Sequence, residues 1–208
     1  MSRKNIFFTS DWHVGHANSL KFDNRPFRDL DHMHKVLINN YNASVGDTGV
    51  CYFLGDMGFG NSGLLKGVLD ELNGTKVLVT GNHDGGMYAM YMSGFDVVIN
   101  SGSIRLGKEL ITFSHCPLPG VFREDTSGMR GSKEGECWHG ELRDTAKFYT
   151  VSNTGQFHLH GHIHSPNGGK STKILDKQYD VGVVANNYRP VSISEIESWI
   201  AKYPRVVY

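Results

Sequence analysis

Five short apolar runs in this sequence end in the same way. Residues 5–10 (NIFFTS) run into Asp11 and His13, and residues 50–55 (VCYFLG) into Asp56. Residues 76–81 (KVLVTG) run into Asn82, His83 and Asp84; residues 109–115 (ELITFSH) close on His115; residues 156–161 (QFHLHG) lead to His162 and His164. Continuous apolar runs of this length read as strands covered on both faces. In sheets flanked by helices, ligand sites form beyond the carboxyl ends of the strands, where loops converge. The repeated ending therefore demands a fold that brings five strand ends to one shared polar site.

The chain of 208 residues fits one domain, spanning 1–208, with a long loop insertion at about 116–155. Further strands are expected at 96–100, 103–107 and 179–184. Residues 30–45 place Met33, Val36, Leu37 and Tyr41 on one helical stripe, with Asp29 or Asp31 as N-cap. Residues 61–74 place Leu64, Leu65, Val68, Leu69 and Leu72 on another, capped by Asn61 or Ser62 and ended at Gly74. A last helix is expected near 194–203, with Ser194 and Glu197 as a capping box and Pro204 as its stop. The alternation of strands and helices gives an α/β class. Residues 116–155 are rich in Gly, Ser and charge, with one short helix expected at about 141–150; loops this long are usually functional or mobile.

Charge narrows the function classes. Lys+Arg and Asp+Glu balance at 21 each, which argues against a protein that coats long nucleic acid through its overall field. Cys51, Cys116 and Cys137 are odd in number and scattered, so neither a disulfide framework nor a CxxC zinc site is expected. The N-terminal apolar run is too short for a signal peptide, and no run reaches membrane-spanning length. A soluble, cytoplasmic protein is expected, with no membrane partner.

The strand-end residues are carboxylates, imidazoles and one carboxamide, a mixed N/O set without a thiolate. It suits divalent Mn, Fe, Co, Ni or Zn and does not suit calcium. The donors are too many for one ion. Two ions about 3.5–4 Å apart, bridged by a carboxylate, would use them and would suit phosphoryl chemistry.

The blocks Asp11-x-His13, Gly55-Asp56, Gly81-Asn82-His83-Asp84, His115 and Gly161-His162-x-His164 resemble the signature of the calcineurin-like metallophosphoesterases. All five occur in that family's order, across residues 11 to 164. Residues 22–27 (FDNRPF), 72–84 and 186–196 are similar to its small bacterial and phage members, which lack a separate cap. The resemblance implies a four-layer αββα sandwich, with two mixed sheets flanked by helices and a dimetal site at the sheet edge. It implies that Asp11, His13 and His164 hold one metal, that Asn82, His115 and His162 hold the other, and that Asp56 bridges both. A hydroxide between the metals would attack phosphorus, His83 would protonate the leaving oxygen or stabilise charge there, and Asp84 would orient His83 or another site group. Manganese is the first expectation; Fe, Ni, Zn and Co fit the same ligands.

The implied activity is hydrolysis of a small phosphomonoester or phosphodiester, with nucleotides among the candidates. A nuclease acting on DNA or RNA ends and a non-catalytic metal-binding scaffold are the alternatives. Around the ligands the readings stay open. His16 and Asn18 face the substrate or support His13, or His16 caps the next turn. Arg25 pairs with a phosphate, or ties its loop down through carbonyls. Arg123, Arg130, Lys133, Trp138 and His139 form a substrate lid, with Trp138 stacking on a base, or a solvated flap. His158 and His160 share one strand face as buried, hydrogen-bonded histidines, and His32 and His34 are surface groups on a helix. Cys116 is a packing residue. Related sequences carry an acid where this chain has Val184.

Overall fold

The computed structural model describes residues 5–58, 62–118, 149–165 and 177–203. Its elements, in chain order, are β1 (Ile6–Thr9), α1 (Ala17–Phe22), α2 (Leu30–Val45), β2 (Val50–Phe53), α3 (Ser62–Asp70), β3 (Thr75–Val79), α4 (Met87–Met92), β4 (Val97–Ile99), β5 (Gly102–Leu106), β6 (Glu109–Phe113), β7 (Phe157–His160), β8 (Gln178–Asp180), β9 (Val191–Ser192) and α5 (Ile193–Ile200). They build a mixed α/β protein with two mixed sheets. The first has the order β4-β3-β2-β1-β9, the second β5-β6-β7-β8. β1 to β4 run parallel, with β9 antiparallel beside β1. β6, β7 and β8 run parallel, with β5 antiparallel beside β6.

Strand alternation assigns each side chain to one of two cores. Phe7, Cys51, Phe53 and Leu78 face α1 to α4 and pack with Met33, Leu37, Tyr41, Leu65 and Leu69. Phe8, Tyr52 and Val79 face the other sheet and meet Ile111, Phe113, Phe157 and Leu159. The Phe8 and Phe113 rings cross edge-on at 5.6 Å, so the second core lies between the sheets. α5 joins it through Ile193, Ile196 and Trp199. Thus the apolar runs are continuous because both faces of the first sheet are covered. No described helix covers the outer face of the second sheet. His158, His160 and Gln178 lie buried there; residues 119–148 and 166–176 are outside the described set.

Several local expectations shift. α2 follows its stripe, and Asp29 caps it by accepting from the His32 amide at 2.8 Å. His34 is not a surface group. It is 6% exposed, it shares the buried face of Ile38, Tyr41 and Val45, and its Nε2 accepts from Gly15 N–H at 3.3 Å. In α3, Leu64 turns outward. The capping box of α5 uses Ser192 and Glu195 rather than Ser194 and Glu197. The same Ser-x-x-Glu pattern occurs twice, two residues apart, and pairing of Ser192 with Phe7 selects the first. Among the described helices none is long and apolar enough to cross a membrane.

Candidate metal centre

The parallel arrangement puts the carboxyl ends of β1, β2 and β3 on one edge, and those of β6 and β7 beside them. Backbone hydrogen bonds join four of these loops in pairs. Asp11 N–H donates to Gly55 O at 3.1 Å, His13 N–H to Asp56 O at 3.0 Å and Gly161 N–H to His115 O at 2.9 Å. Both oxygens of Asp11 accept from His162 N–H, at 3.1 and 3.0 Å, which links the two sheets at the site.

Five of the seven expected ligands hold left-handed backbone: Asp11 (φ 60°), His13 (53°), Asp56 (55°), His162 (70°) and His164 (47°). This conformation costs a non-glycine residue roughly 1–2 kcal/mol, and such strain persists where the surroundings over-determine it. At the first loop the anchor is Trp12, which is 1% exposed and packs edge-on against Tyr41 and Phe53 at 5.9 and 5.7 Å. With Trp12 driven into the core, Asp11 and His13 turn together toward the site. Gly161 is required for a different reason: a Cβ there would run into Ser10 Oγ and Asp11 Oδ2.

Two groups of donor atoms result. In the first, His13 Nε2 lies 3.1 Å from His164 Nε2, and His164 Nε2 lies 3.4 Å from Asp11 Oδ1. In the second, His115 Nε2 is 2.9 Å from Asn82 Oδ1, 3.2 Å from His162 Nδ1 and 3.4 Å from Asp56 Oδ2. Asp56 Oδ2 also stands 3.9 Å from His13 Nε2, so this one oxygen faces both groups. Asp11, His13 and His164 form one metal-competent cluster; Asp11, Asp56 and His115 form another.

These atoms fit divalent cations. Single protons shared among the ring nitrogens cannot satisfy so many converging lone pairs. Ligands about 2.0–2.2 Å from an ion stand roughly 3–3.5 Å apart along the edges of a coordination polyhedron, as most of these pairs do. A third cluster joins Cys116 Sγ to His115 and His162. Cys116, read from the sequence as a packing residue, is buried and borders the second group.

Burial and charge act in opposition across the cluster. Burial raises the Asp11 carboxyl, but His164 and His115 hold it below the usual carboxylate range. Burial likewise raises Asp56, and His115, His13 and His83 more than reverse this. Burial pushes His13 down to about 4 against the pull of Asp56. His115 and His164 are pushed up to about 10: burial opposes the shift, but Asp56 drives it at His115 and Asp11 at His164.

The metal-free protein therefore keeps protons on His115 and His164 that its unfolded chain releases near 6.5. Their contribution to stability is complete below pH 6.5 and is lost as pH rises toward 10. Metal ligands must be deprotonated, so ions substitute for these protons. Thermal melts from pH 6.5 to 9 should show a falling Tm for chelator-treated protein and a flatter profile with Mn²⁺ or Zn²⁺. Parallel profiles would refute this.

The remaining expected residues divide. His83 is exposed, its ring 5.9 Å from that of His13, and its N–H donates to Asp56 Oδ1 at 2.9 Å. The His16 ring lies 5.7 Å from His13 and 6.1 Å from Phe22. Although His16 stands at the N-cap of α1, its side chain makes no capping bond. Asn18 is exposed on α1.

Asp84 accepts from the N–H groups of Gly81 (2.8 Å), Met57 (2.9 Å) and Asp56 (3.0 Å). It ties the Asp56 loop to the Asn82 loop, and so acts through position rather than on the reacting atoms. Burial and neighbouring Asp56 push its carboxyl up to about 6. Arg25 corrects the phosphate-contact reading. Its guanidinium is wholly buried and donates to Trp12 O at 3.0 Å and Asp11 O at 2.9 Å, beneath the ligand loop. Arg123, Arg130 and Trp138 lie outside the described residues.

One residue escaped sequence reasoning. Asp23 accepts from His164 Nδ1 at 2.8 Å and from Arg25 at 2.8 and 2.9 Å. It lies within the FDNRPF block, which was the available signal.

Comparison with known proteins agrees with the fold. No family model matches the chain. An uncharacterized protein of Methanocaldococcus jannaschii, MJ1445, is 43% identical over 86 residues, 40% of this chain and 49% of that protein, so the match spans about half of its length. The gene 66 protein of Mycobacterium phage L5 is 29% identical over 78% of each chain. Among solved structures, the Aquifex aeolicus protein of unknown function AQ665 superposes with TM-score 0.64 at 22% identity, covering 93% of this chain and 97% of its own, which supports the fold alone. Escherichia coli YfcE, described as a phosphoesterase, gives TM-score 0.40 at 14% identity over 84% of this chain and 77% of its own, too low to carry an argument. The gene 66 protein of Mycobacterium phage D29 is 30% identical over 202 residues, 87% of this chain and 88% of the phage protein, and the chain belongs to the family of these mycobacteriophage gene 66 proteins.

Proposed function

We propose that the chain is a dimetal-dependent phosphohydrolase of the metallophosphoesterase type, with the four-layer sandwich that this implies, acting on a small phosphomonoester or phosphodiester. The observation that carries this reading is the donor geometry: two groups of lone-pair atoms share Asp56 Oδ2, at 3.4 Å from His115 and 3.9 Å from His13. Asp11, His13 and His164 would hold one ion and Asn82, His115 and His162 the other. Two ions bound there supply a Lewis-acid clamp on a phosphoryl group and ionise water near neutral pH.

The chain's own residues do the rest. Asp56, whose Oδ2 faces both donor groups, would help hold both ions. The amide of His83 on Asp56 Oδ1 fixes the backbone from which the exposed His83 ring can donate a proton to a departing oxygen. Asp84 holds the two loops that carry Asp56 and Asn82 in register. The His16 ring stands 5.7 Å from that of His13. Balanced charge, with 21 cationic and 21 anionic side chains, favours a small substrate over long nucleic acid.

The test is direct. Chelator-stripped protein reloaded separately with Mn²⁺, Co²⁺, Ni²⁺ or Zn²⁺ is assayed on p-nitrophenyl phosphate, bis-p-nitrophenyl phosphate and nucleotides. Turnover that appears with metal and vanishes with chelator is expected. A protein that takes up two ions and turns over none of these is the non-catalytic scaffold instead.

A further inference from the structure

The two metal positions are backed by different chemistry. A ligating imidazole is oriented and made more basic by whatever accepts the proton of its other nitrogen. For His115 that acceptor is a neutral group, Leu54 O at 2.7 Å from Nδ1. For His164 it is a carboxylate, Asp23 Oδ1 at 2.8 Å from Nδ1. Asp23 is itself fixed: Arg25 Nε and Nη2 donate to its Oδ2 at 2.9 and 2.8 Å. The same guanidinium donates to Asp11 O and Trp12 O, and its side chain is fully buried while that of Asp23 is 8% exposed. One buried cation thus fixes both the left-handed turn that presents Asp11 and the carboxylate that presents His164. Among the described residues, the group behind His115 is the neutral Leu54 carbonyl instead.

We infer that Asp23, held by Arg25, is a positioning residue that makes the Asp11/His13/His164 position the tighter of two unequal metal positions. The inference rests on the dimetal reading above. An Asp23–Arg25 pair fixes the His164 tautomer with Nε2 free to bind, and the negative charge behind the ring strengthens that nitrogen as a donor. The second position, backed by a neutral carbonyl, fills at higher metal concentration. A phosphohydrolase built this way is half-loaded at low metal and becomes active as the weaker position fills.

Asp23→Asn tests this, because it keeps the shape and removes the charge. The full chain, stripped with chelator, is titrated with Mn²⁺ by calorimetry against a competing chelator. Wild-type protein should show two steps of unequal affinity. In the variant the tighter step should weaken about 10–100-fold, with the other step changed less than about twofold. Activity should fall at limiting Mn²⁺ and recover at saturating Mn²⁺, a recovery that general structural damage would not give. Equal wild-type steps, an unchanged variant or equal loss at both steps would each overturn the inference.

If Asp23→Asn does not fold, ring-nitrogen NMR of His164 in zinc-loaded wild-type protein decides instead. A proton on Nδ1 with Nε2 ligated is expected; the reverse refutes it. Unequal binding without any phosphoester hydrolysis would end the phosphohydrolase reading and leave this one standing. Hydrolysis with Asp23→Asn at wild-type affinity would do the opposite, and wild-type protein that takes up no ion ends both.

Discussion

Asp56→Asn should lower kcat/KM by about 10³-fold or more at fixed metal concentration and weaken uptake of the second ion, with the fold intact. Asp56 Oδ2 stands within 4 Å of a ring nitrogen in each donor group. Asparagine has nearly the same shape, so packing survives. It loses a full charge, however, and one of its two terminal atoms becomes a donor aimed where lone pairs converge. Removing a unit charge about 4 Å from a cation costs on the order of 4 kcal/mol at an effective dielectric constant of about 20. That corresponds to about three decades in rate. Circular dichroism should be unchanged, and metal titration should show one step displaced to higher concentration. Activity within tenfold of wild type would sink the bridging role.

Why this site was readable in the sequence follows from how it is made. Asp11, Asp56 and Asn82 each follow a first-sheet strand with apolar residues on both faces, so a polar residue at its end breaks a strong local pattern; His115 and His162 follow β6 and β7, whose other face carries Thr112, His158 and His160, and stand out by the histidines at their ends. The chain order of those breaks is the order in which parallel strands deliver them to one edge. α2 was readable at its exact bounds because its buried residues keep the helical period and Asp29 caps it.

What stayed hidden depends on partners far away in the sequence. Asp23 gains its role from His164, 141 residues on, and Arg25 from carbonyls that are exposed only because Asp11 turns left-handed. No period or spacing encodes either contact. His34 is different. It lies four residues before Ile38 and seven before Tyr41, on the buried stripe of α2, and the pattern could have identified it. A histidine on such a face was read as solvated because its partner, the Gly15 amide, belongs to another loop. Cys116 reads as core from composition alone; only the turn at His115 brings its sulfur beside His162. At α5 two overlapping Ser-x-x-Glu patterns were equivalent locally, and the pairing of Ser192 with β1 decided between them.

His83 offers the second large effect and separates chemistry from metal binding. Its side chain is exposed and its amide holds Asp56, so His83→Ala keeps the backbone bond and removes only the ring. Metal uptake should therefore stay within about twofold, whereas proton donation by a positioned side chain contributes typically about 10²–10⁴-fold. The loss must depend on the leaving group. A p-nitrophenolate departs without help, so its hydrolysis should change least. An alkoxide needs the proton, so a nucleoside or alkyl phosphoester should lose about 10²-fold or more in kcat. Metal titration and kcat on both substrate types, with wild-type and His83→Ala protein, give four comparisons. Equal loss on both leaving groups would assign His83 to charge stabilisation or to substrate positioning instead. Loss of metal uptake would make it structural through the Asp56 loop. No loss on either substrate would remove His83 from the mechanism and leave the proton to solvent or to His16, whose ring lies 5.7 Å from that of His13.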